Sequence, residues 1–199
     1  PKIYSVFGSN IYYLNMYDCN KSFYENIENM CLRYDSLLFK EGINIIKNNL
    51  NDTVTYLSIL HAVAMGNSKI GDIASFINLK STYITRYMQK LVDIMVLEKK
   101  FPIDDDPLKS KFGRYEFTDN FMKFWFCFVY PNFDLINQNK SSEVLNLVKK
   151  DFKKMIFHDT YKKMVMEKIE QDYEEEIGYK PLKIGSWWNN SDKQIDIVA

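Results

Sequence analysis

Residues 53–95 read TVTYLSILHAVAMGNSKIGDIASFINLKSTYITRYMQKLVDIM, and the spacing of their apolar side chains decides the fold. From Thr53 to Met65, Leu57, Leu60, Val63 and Ala64 recur on one face, which predicts a helix, and Gly66 ends it where a left-handed residue costs least. Ser68 is placed to cap a short second helix over Lys69 to Ile77, with Ile70, Ile73, Ala74 and Ile77 inward. The turn Asn78-Leu79-Lys80 then leads to Ser81, read as the cap of a third helix reaching about Met95. Its inward residues are Ile84, Met88, Leu91, Val92 and Met95. Its other face carries Thr82, Tyr83, Thr85, Arg86, Gln89 and Lys90, side chains of the kinds that hydrogen-bond phosphates and base edges. Three helices of these lengths, with a tight turn before the third, predict a helix-turn-helix.

The next 23 residues, 96–118, turn this unit into a winged helix. Val96 to Phe101 is β-prone, Ile103 to Gly113 is rich in turn residues, and Arg114 to Thr118 alternates outward and inward, so a hairpin is expected. Its loop holds Lys109, Lys111 and Arg114, placed to follow a phosphate backbone, but also Asp104, Asp105 and Asp106, which a backbone repels. Further on, Phe121, Phe124, Trp125, Phe128 and Val129 predict a helix pressed into the core and ending before Pro131. Residues 140–183 predict two amphipathic helices, one using Val144, Val148, Phe152 and Met155, the other Tyr161, Val165, Ile169 and Tyr173. Lys183 to Trp188 and Gln194 to Ala199 read as strands joined by the polar turn Asn189-Asn190-Ser191-Asp192. Upstream, residues 1–52 read as helices after Lys21, with Phe23, Ile27, Met30 and Cys31 on one face and Ile43, Ile46 and Leu50 on another.

The composition bounds the function. In 199 residues, 46% are hydrophobic and 16% aromatic, ample for a packed core, and 26 Lys and Arg balance 26 Asp and Glu. A neutral chain requires any DNA-binding surface to be local. Residues 53–118 are the most basic segment, with Lys69, Lys80, Arg86, Lys90, Lys99, Lys100, Lys109, Lys111 and Arg114 against Asp72, Asp93, Glu98, Asp104, Asp105, Asp106 and Glu116. Neither common Gly-rich phosphate loop occurs. Cys19, Cys31 and Cys127 form no metal or disulfide spacing, which predicts a reducing, cytoplasmic compartment, and the longest apolar run, Phe121 to Tyr130 interrupted by Lys123, is too short to cross a bilayer, so no membrane partner is expected. His61 reads as a core or helix-face residue, His158 has no acid or cysteine at ligand spacing, and one of Trp187 and Trp188 is expected in the core. Pro1 at the start and Ala199 inside a β-branched run predict a piece of a longer protein.

The order of motifs resembles one family over nearly the whole chain. Tyr34-Asp35-Ser36-Leu37-Leu38-Phe39-Lys40-Glu41 and Thr55 to Gly66 resemble the region after the nucleotide-binding core of the archaeal-type ATPases of archaea and bacteria. The resemblance runs on through Thr118-Asp119-Asn120-Phe121-Met122-Lys123-Phe124-Trp125-Phe126, Pro131-Asn132, Ile184-Gly185-Ser186-Trp187-Trp188 and Ile195-Asp196-Ile197-Val198-Ala199. It implies an ATPase core before Pro1 that holds ATP and Mg, and a C-terminal domain similar to PD-(D/E)xK nucleases. This chain itself would carry no cofactor.

The resemblance places Asp196 as the one candidate metal ligand and catalytic carboxylate, between Ile195 and Ile197 expected inward. Gln194 and Lys162 stand where relatives commonly show acids, and Lys162 repels a divalent cation, so this chain alone is not expected to be catalytic. The fold expected is α+β and mostly α-helical: a helical segment over 1–52, a winged helix over 53–118, and over 119–199 a helical segment with a truncated nuclease-like α/β domain. The expected partners are double-stranded DNA, the upstream ATPase domain and a second copy of the chain in a homo-oligomer. Two other readings stay open: a protein-interaction module without nucleic-acid binding, and the remnant of a metal-dependent nuclease.

Overall fold

A computed structural model describes residues 1–189 and 193–199, so Asn190, Ser191 and Asp192 of the expected polar turn lie outside the described residues. The fold is α+β, with helices throughout and two separate two-stranded antiparallel sheets among the described residues.

Helices α1 (Lys2–Phe7), α2 (Ile11–Asn15), α3 (Phe23–Cys31) and α4 (Glu41–Asn49) open the chain. Ser22 and Glu25 start α3 with a reciprocal capping box: Ser22 Oγ accepts from the Glu25 amide and Glu25 Oε2 from the Ser22 amide, at 3.3 and 2.8 Å. Helices α5 (Thr53–Ala64), α6 (Ile70–Phe76) and α7 (Ser81–Asp93) come next, then strands β1 (Leu97–Lys100) and β2 (Arg114–Phe117), paired from Leu97 opposite Phe117 to Lys100 opposite Arg114. This is the order of a winged helix. The outer edge of β2 is tied to the α5–α6 connection by the Tyr115 amide, which donates to the Ser68 carbonyl at 2.7 Å.

That bond corrects the reading of Ser68, which serves through its backbone and caps nothing. Helix α6 begins after Lys69 and α7 after Lys80, neither with a side-chain cap, so Ser81 is the first helical residue and not the cap. The ends are more regular than the starts. After α5, α6 and α7, residues Gly66, Asn78 and Met95 take positive φ (94°, 55° and 56°). In each case two amides close back on the last turn; for α7, Met95 bonds Val92 and Val96 bonds Leu91, at 3.0 and 2.9 Å. Met95, expected inward, is therefore carried out of the helix and is 77% exposed.

Helix α8 (Asn120–Phe124), capped by Asp119, runs without a break into a π-helical turn (Trp125–Val129), a 3₁₀ turn (Tyr130–Asn132) and α9 (Phe133–Asn137). The segment thus does not end before Pro131. Proline sits in the first turn of the 3₁₀ segment, and the Phe128 carbonyl that its missing N–H cannot reach accepts instead from Asn132 Nδ2 at 2.9 Å. Likewise α10 (Ser141–Phe152), a second π-helical turn (Lys153–Phe157) and α11 (His158–Gln171) form one rod where two helices were expected. The wider π-helical turn shifts the phase of the buried stripe. The stripe runs Val144, Val148, Phe152, Ile156, Thr160, and Tyr161, expected inward, is 53% exposed. Beyond the rod lie α12 (Tyr173–Glu176) and the hairpin β3 (Gly185–Trp188) and β4 (Gln194–Val198).

One apolar cluster extends from Val6 to Ile156 and takes side chains from residues 1–52, from the winged helix and from the helices after it. At its centre Trp125 is fully buried, lies against Gly42, and donates Nε1–H to the Phe39 carbonyl at 2.9 Å. Phe39 in turn stacks on Phe133, with ring centroids 4.3 Å apart.

Candidate nucleic-acid interface

Helix α7 buries Ile84, Tyr87, Met88 and Leu91, which fall at three- and four-residue steps, and this leaves one continuous outer face. All six residues expected on that face, Thr82, Tyr83, Thr85, Arg86, Gln89 and Lys90, are exposed. Lys80 is exposed just before them, and no acidic residue occurs between Asp72 and Asp93. The face is therefore locally cationic in a neutral chain.

Arg86 is held rather than free. Its guanidinium lies over the rings of Tyr83 and Tyr87, 5.3 and 4.8 Å from their centroids, and Nη2 donates to Tyr87 Oη at 3.0 Å. Tyr87 donates to Asp52 Oδ2 at 2.7 Å, and that bond, with a second from Thr55, holds the Asp52 carboxyl below its usual range. Asp52 also caps α5. A depression of about 550 Å³ beside this cluster is lined by Asp52, Tyr56, Arg86, Tyr87 and Lys90. Sequence reading misses Asp52 and Tyr87. The signal for Tyr87 is its place one turn after Tyr83, but its partner lies 35 residues away. Gln89, also on this face, donates to Asp93 at 2.8 Å.

The three wing cations part company. Lys109 is exposed, 3.8 Å from Asp106, and Lys111 is exposed as well. Arg114 is turned onto the C-terminal hairpin, with its guanidinium 4.7 Å over the Trp188 ring and Nη1 donating to Gln194 Oε1 at 3.0 Å. Two loop aspartates are partnered, one across the chain and one locally: Asp104 accepts from Trp187 Nε1 at 3.1 Å and Asp105 from Ser110 Oγ. Of the two adjacent tryptophans it is Trp188 that is buried.

Asp196 is half-buried on β4. Gln194 Nε2 donates to its Oδ1 at 2.7 Å, and His158 Nε2 stands 3.9 Å from its Oδ2. His158 also lies 3.5 Å from Asp159, so the fold gives it two acidic neighbours, only one of them close in sequence. Ile195, expected inward, is 53% exposed. His61 is half-buried between the rings of Phe76 and Tyr130, whose centroids lie 5.7 and 5.4 Å away.

Comparison with known proteins reaches the same C-terminal part. Residues 125–199 match the family model described as archaea bacterial proteins of unknown function, DUF234. The chain is similar to the uncharacterized protein MJECL04 of Methanocaldococcus jannaschii, with 30% identity over 183 residues that cover 89% of this chain and 39% of that relative. The chain thus spans well under half the length of the curated relative it matches. No solved structure matches it. Among the described residues no helix is long and apolar enough to cross a membrane.

Proposed function

We propose that this chain is the DNA-binding region of a longer cytoplasmic protein, with α7 set against duplex DNA and an ATP- and Mg-binding domain upstream. The observation that carries the reading is the outer face of α7, where Thr82, Thr85, Arg86, Gln89 and Lys90 are exposed together and no acid interrupts residues 73–92. Hydroxyl and amide groups on such a face suit phosphate and base-edge bonds, and Arg86 is held by two rings in a fixed orientation. The upstream ATPase domain rests on the motif resemblance, and the 39% coverage of the archaeal relative leaves room for it there.

The test is the double charge reversal Arg86→Glu, Lys90→Glu, with binding to duplex DNA followed as salt is raised. The double variant should lose most of the affinity, and the wild type should weaken steeply with salt. Affinity that ignores both would refute groove binding.

One observation favours a second reading, a protein-docking module. Phe76, Leu79 and Tyr83 are exposed at 49%, 40% and 44% around the turn between α6 and α7, an apolar corner beside the cationic face. Phe76→Ser with Leu79→Ser should then abolish self-association and leave DNA affinity alone. A nuclease remnant is less favoured. The Asp196 carboxylate accepts from the Gln194 amide, and Gln194 and Lys162 stand where the resemblance calls for acids, which leaves one carboxylate of the expected set.

A further inference from the structure

The wing of this molecule is fastened at several points to the C-terminal hairpin. The Ile103 amide donates to the Ser186 carbonyl at 2.9 Å, which extends the edge of β3 by one bond onto the wing loop. Trp188 Nε1 donates to the Phe112 carbonyl at 2.8 Å, and Trp187 Nε1 to Asp104 Oδ2 at 3.1 Å. Arg114 closes the set, lying against Trp188 and bonding Gln194. Gly185 lies flat on Ile103, where a Cβ would stand 3.3 Å from the Ile103 Cβ. These contacts take both ends of the wing loop and the cation at the base of β2, the groups a wing uses to follow a DNA backbone.

We infer that the hairpin β3–β4 is a latch on the wing: docked, it withholds Arg114 and the loop around it from DNA, and released, it frees them. The inference rests on the DNA-binding reading of α7. It is a device of small parts, since the fastening is four hydrogen bonds and one cation–π contact, most of them at partly exposed sites. Such a contact opens at modest cost compared with the apolar cluster behind it. Among the described residues of the hairpin only Trp188 is buried, and it lies outside that cluster. The winged helix therefore keeps its own core when the hairpin leaves.

The latch can be locked and unlocked in one protein. In a Cys19→Ser background, which removes the exposed thiol, Ile103→Cys with Gly185→Cys sets two Cβ atoms 3.3 Å apart, a few tenths of an ångström closer than the about 3.5–4.5 Å of a relaxed disulfide, which a small shift of the hairpin supplies. Binding of a fluorescein-labelled duplex is measured oxidised and reduced, at about 50 and about 200 mM salt. Each phosphate contact contributes about threefold to the loss of affinity between those salts, so the reduced protein should lose about threefold more than the oxidised one and bind more tightly at the lower salt. Trp187→Ala with Trp188→Ala should behave as the reduced protein, and the Ile103 amide should exchange faster in it.

Equal binding by the oxidised and reduced forms, together with loss of binding in Arg86→Glu, Lys90→Glu, overturns the latch and leaves the α7 interface standing. Tighter binding by the oxidised form also overturns it, because the hairpin would then be a support for the wing. No duplex binding by any form overturns both.

Discussion

Replacing Gly42 with alanine tests the packing on which the whole molecule depends. A Cβ at Gly42 would meet Trp125 Cε2 at 2.8 Å and two further indole carbons closer still, where ordinary contact begins at 3.4 Å. The indole has nowhere to retreat. Trp125 is fully buried, edged by Phe126 and Tyr130 at 5.0 and 5.8 Å between centroids, and held by its bond to the Phe39 carbonyl. Overpacking of this kind costs about 1–3 kcal/mol. If the ring shifts enough to lose its hydrogen bond, the stranded donor adds about 1–3 kcal/mol. Against this, alanine in the first turn of α4 gains about 0.4–1 kcal/mol. The net is a destabilisation of about 0–3 kcal/mol if the indole keeps its bond and about 1–5 kcal/mol if it loses it, up to roughly 15 °C in Tm for a chain of this size. Gly71 is the control, because it lies in the first turn of α6 with nothing within 4 Å of its Cβ position. Gly71→Ala should stabilise by about 0.4–1 kcal/mol. Thermal and urea unfolding followed by circular dichroism and tryptophan fluorescence reads both. A Gly42→Ala protein as stable as the Gly71→Ala protein would refute the placement of Trp125 against α4.

Thiol chemistry gives an independent check of burial. Cys31 and Cys127 are buried and their thiols are pushed up by burial, Cys127 to about 12, so at pH 8 a disulfide reagent should titrate Cys19 alone in native protein and all three after unfolding. Met95→Gly should stabilise by about 1 kcal/mol, because a left-handed φ of 56° strains methionine and suits glycine; a loss of stability would contradict the turn that ends α7. At Asp159, partial burial pushes the carboxyl up, but the Lys123 ammonium and its hydrogen bond outweigh it, and the net shift is below the ordinary 3.8. A lowered folded value means a contribution present above the unfolded pKa of about 4 and lost as pH falls through the folded one. Asp159→Asn should therefore be less stable than wild type at pH 7, and urea midpoints of the two should converge as pH falls below about 4.

Much of the winged helix is legible because its signals are local. The inward residues of α6 and α7 keep a period of three to four, and Gly66 and Asn78 announce their left-handed turns by residue type. Met95 makes the same turn without the signal, so its exposure cannot be read. The π-helical turns are illegible for a related reason: nothing in Lys153–Phe157 marks a wide turn, so residues 140–183 read as two helices, and a second helix phased on Tyr161 puts that residue on the wrong face. Non-local partners are out of reach altogether. Arg114 finds Gln194 across 80 residues and Trp188 finds Phe112 across 76, and a reading by neighbourhood can only leave that arginine in the wing.

The charge balance now says something about how a duplex would sit. A hydrogen-bonded carboxylate is still an anion, so Asp104, Asp105 and Asp106 oppose a phosphate near the wing tip however well they are partnered. Lys109 leans toward Asp106, and Arg114 is on the hairpin. The α7 face has acids of its own, Asp52 beside the Arg86 cluster and Asp93 bonded to Gln89, but its cations Lys80, Arg86 and Lys90 outnumber them. With the wing fastened, three phosphate contacts give a slope of log K against log salt of about −2.7. Were Lys109, Lys111 and Arg114 all engaged as well, the slope would be about −5.4. The measured slope therefore counts which element carries the affinity, whatever the DNA sequence used. A value near about −5 in wild-type protein would mean that the wing reaches the backbone despite its aspartates, and that the contacts holding Arg114 to Trp188 break when duplex binds.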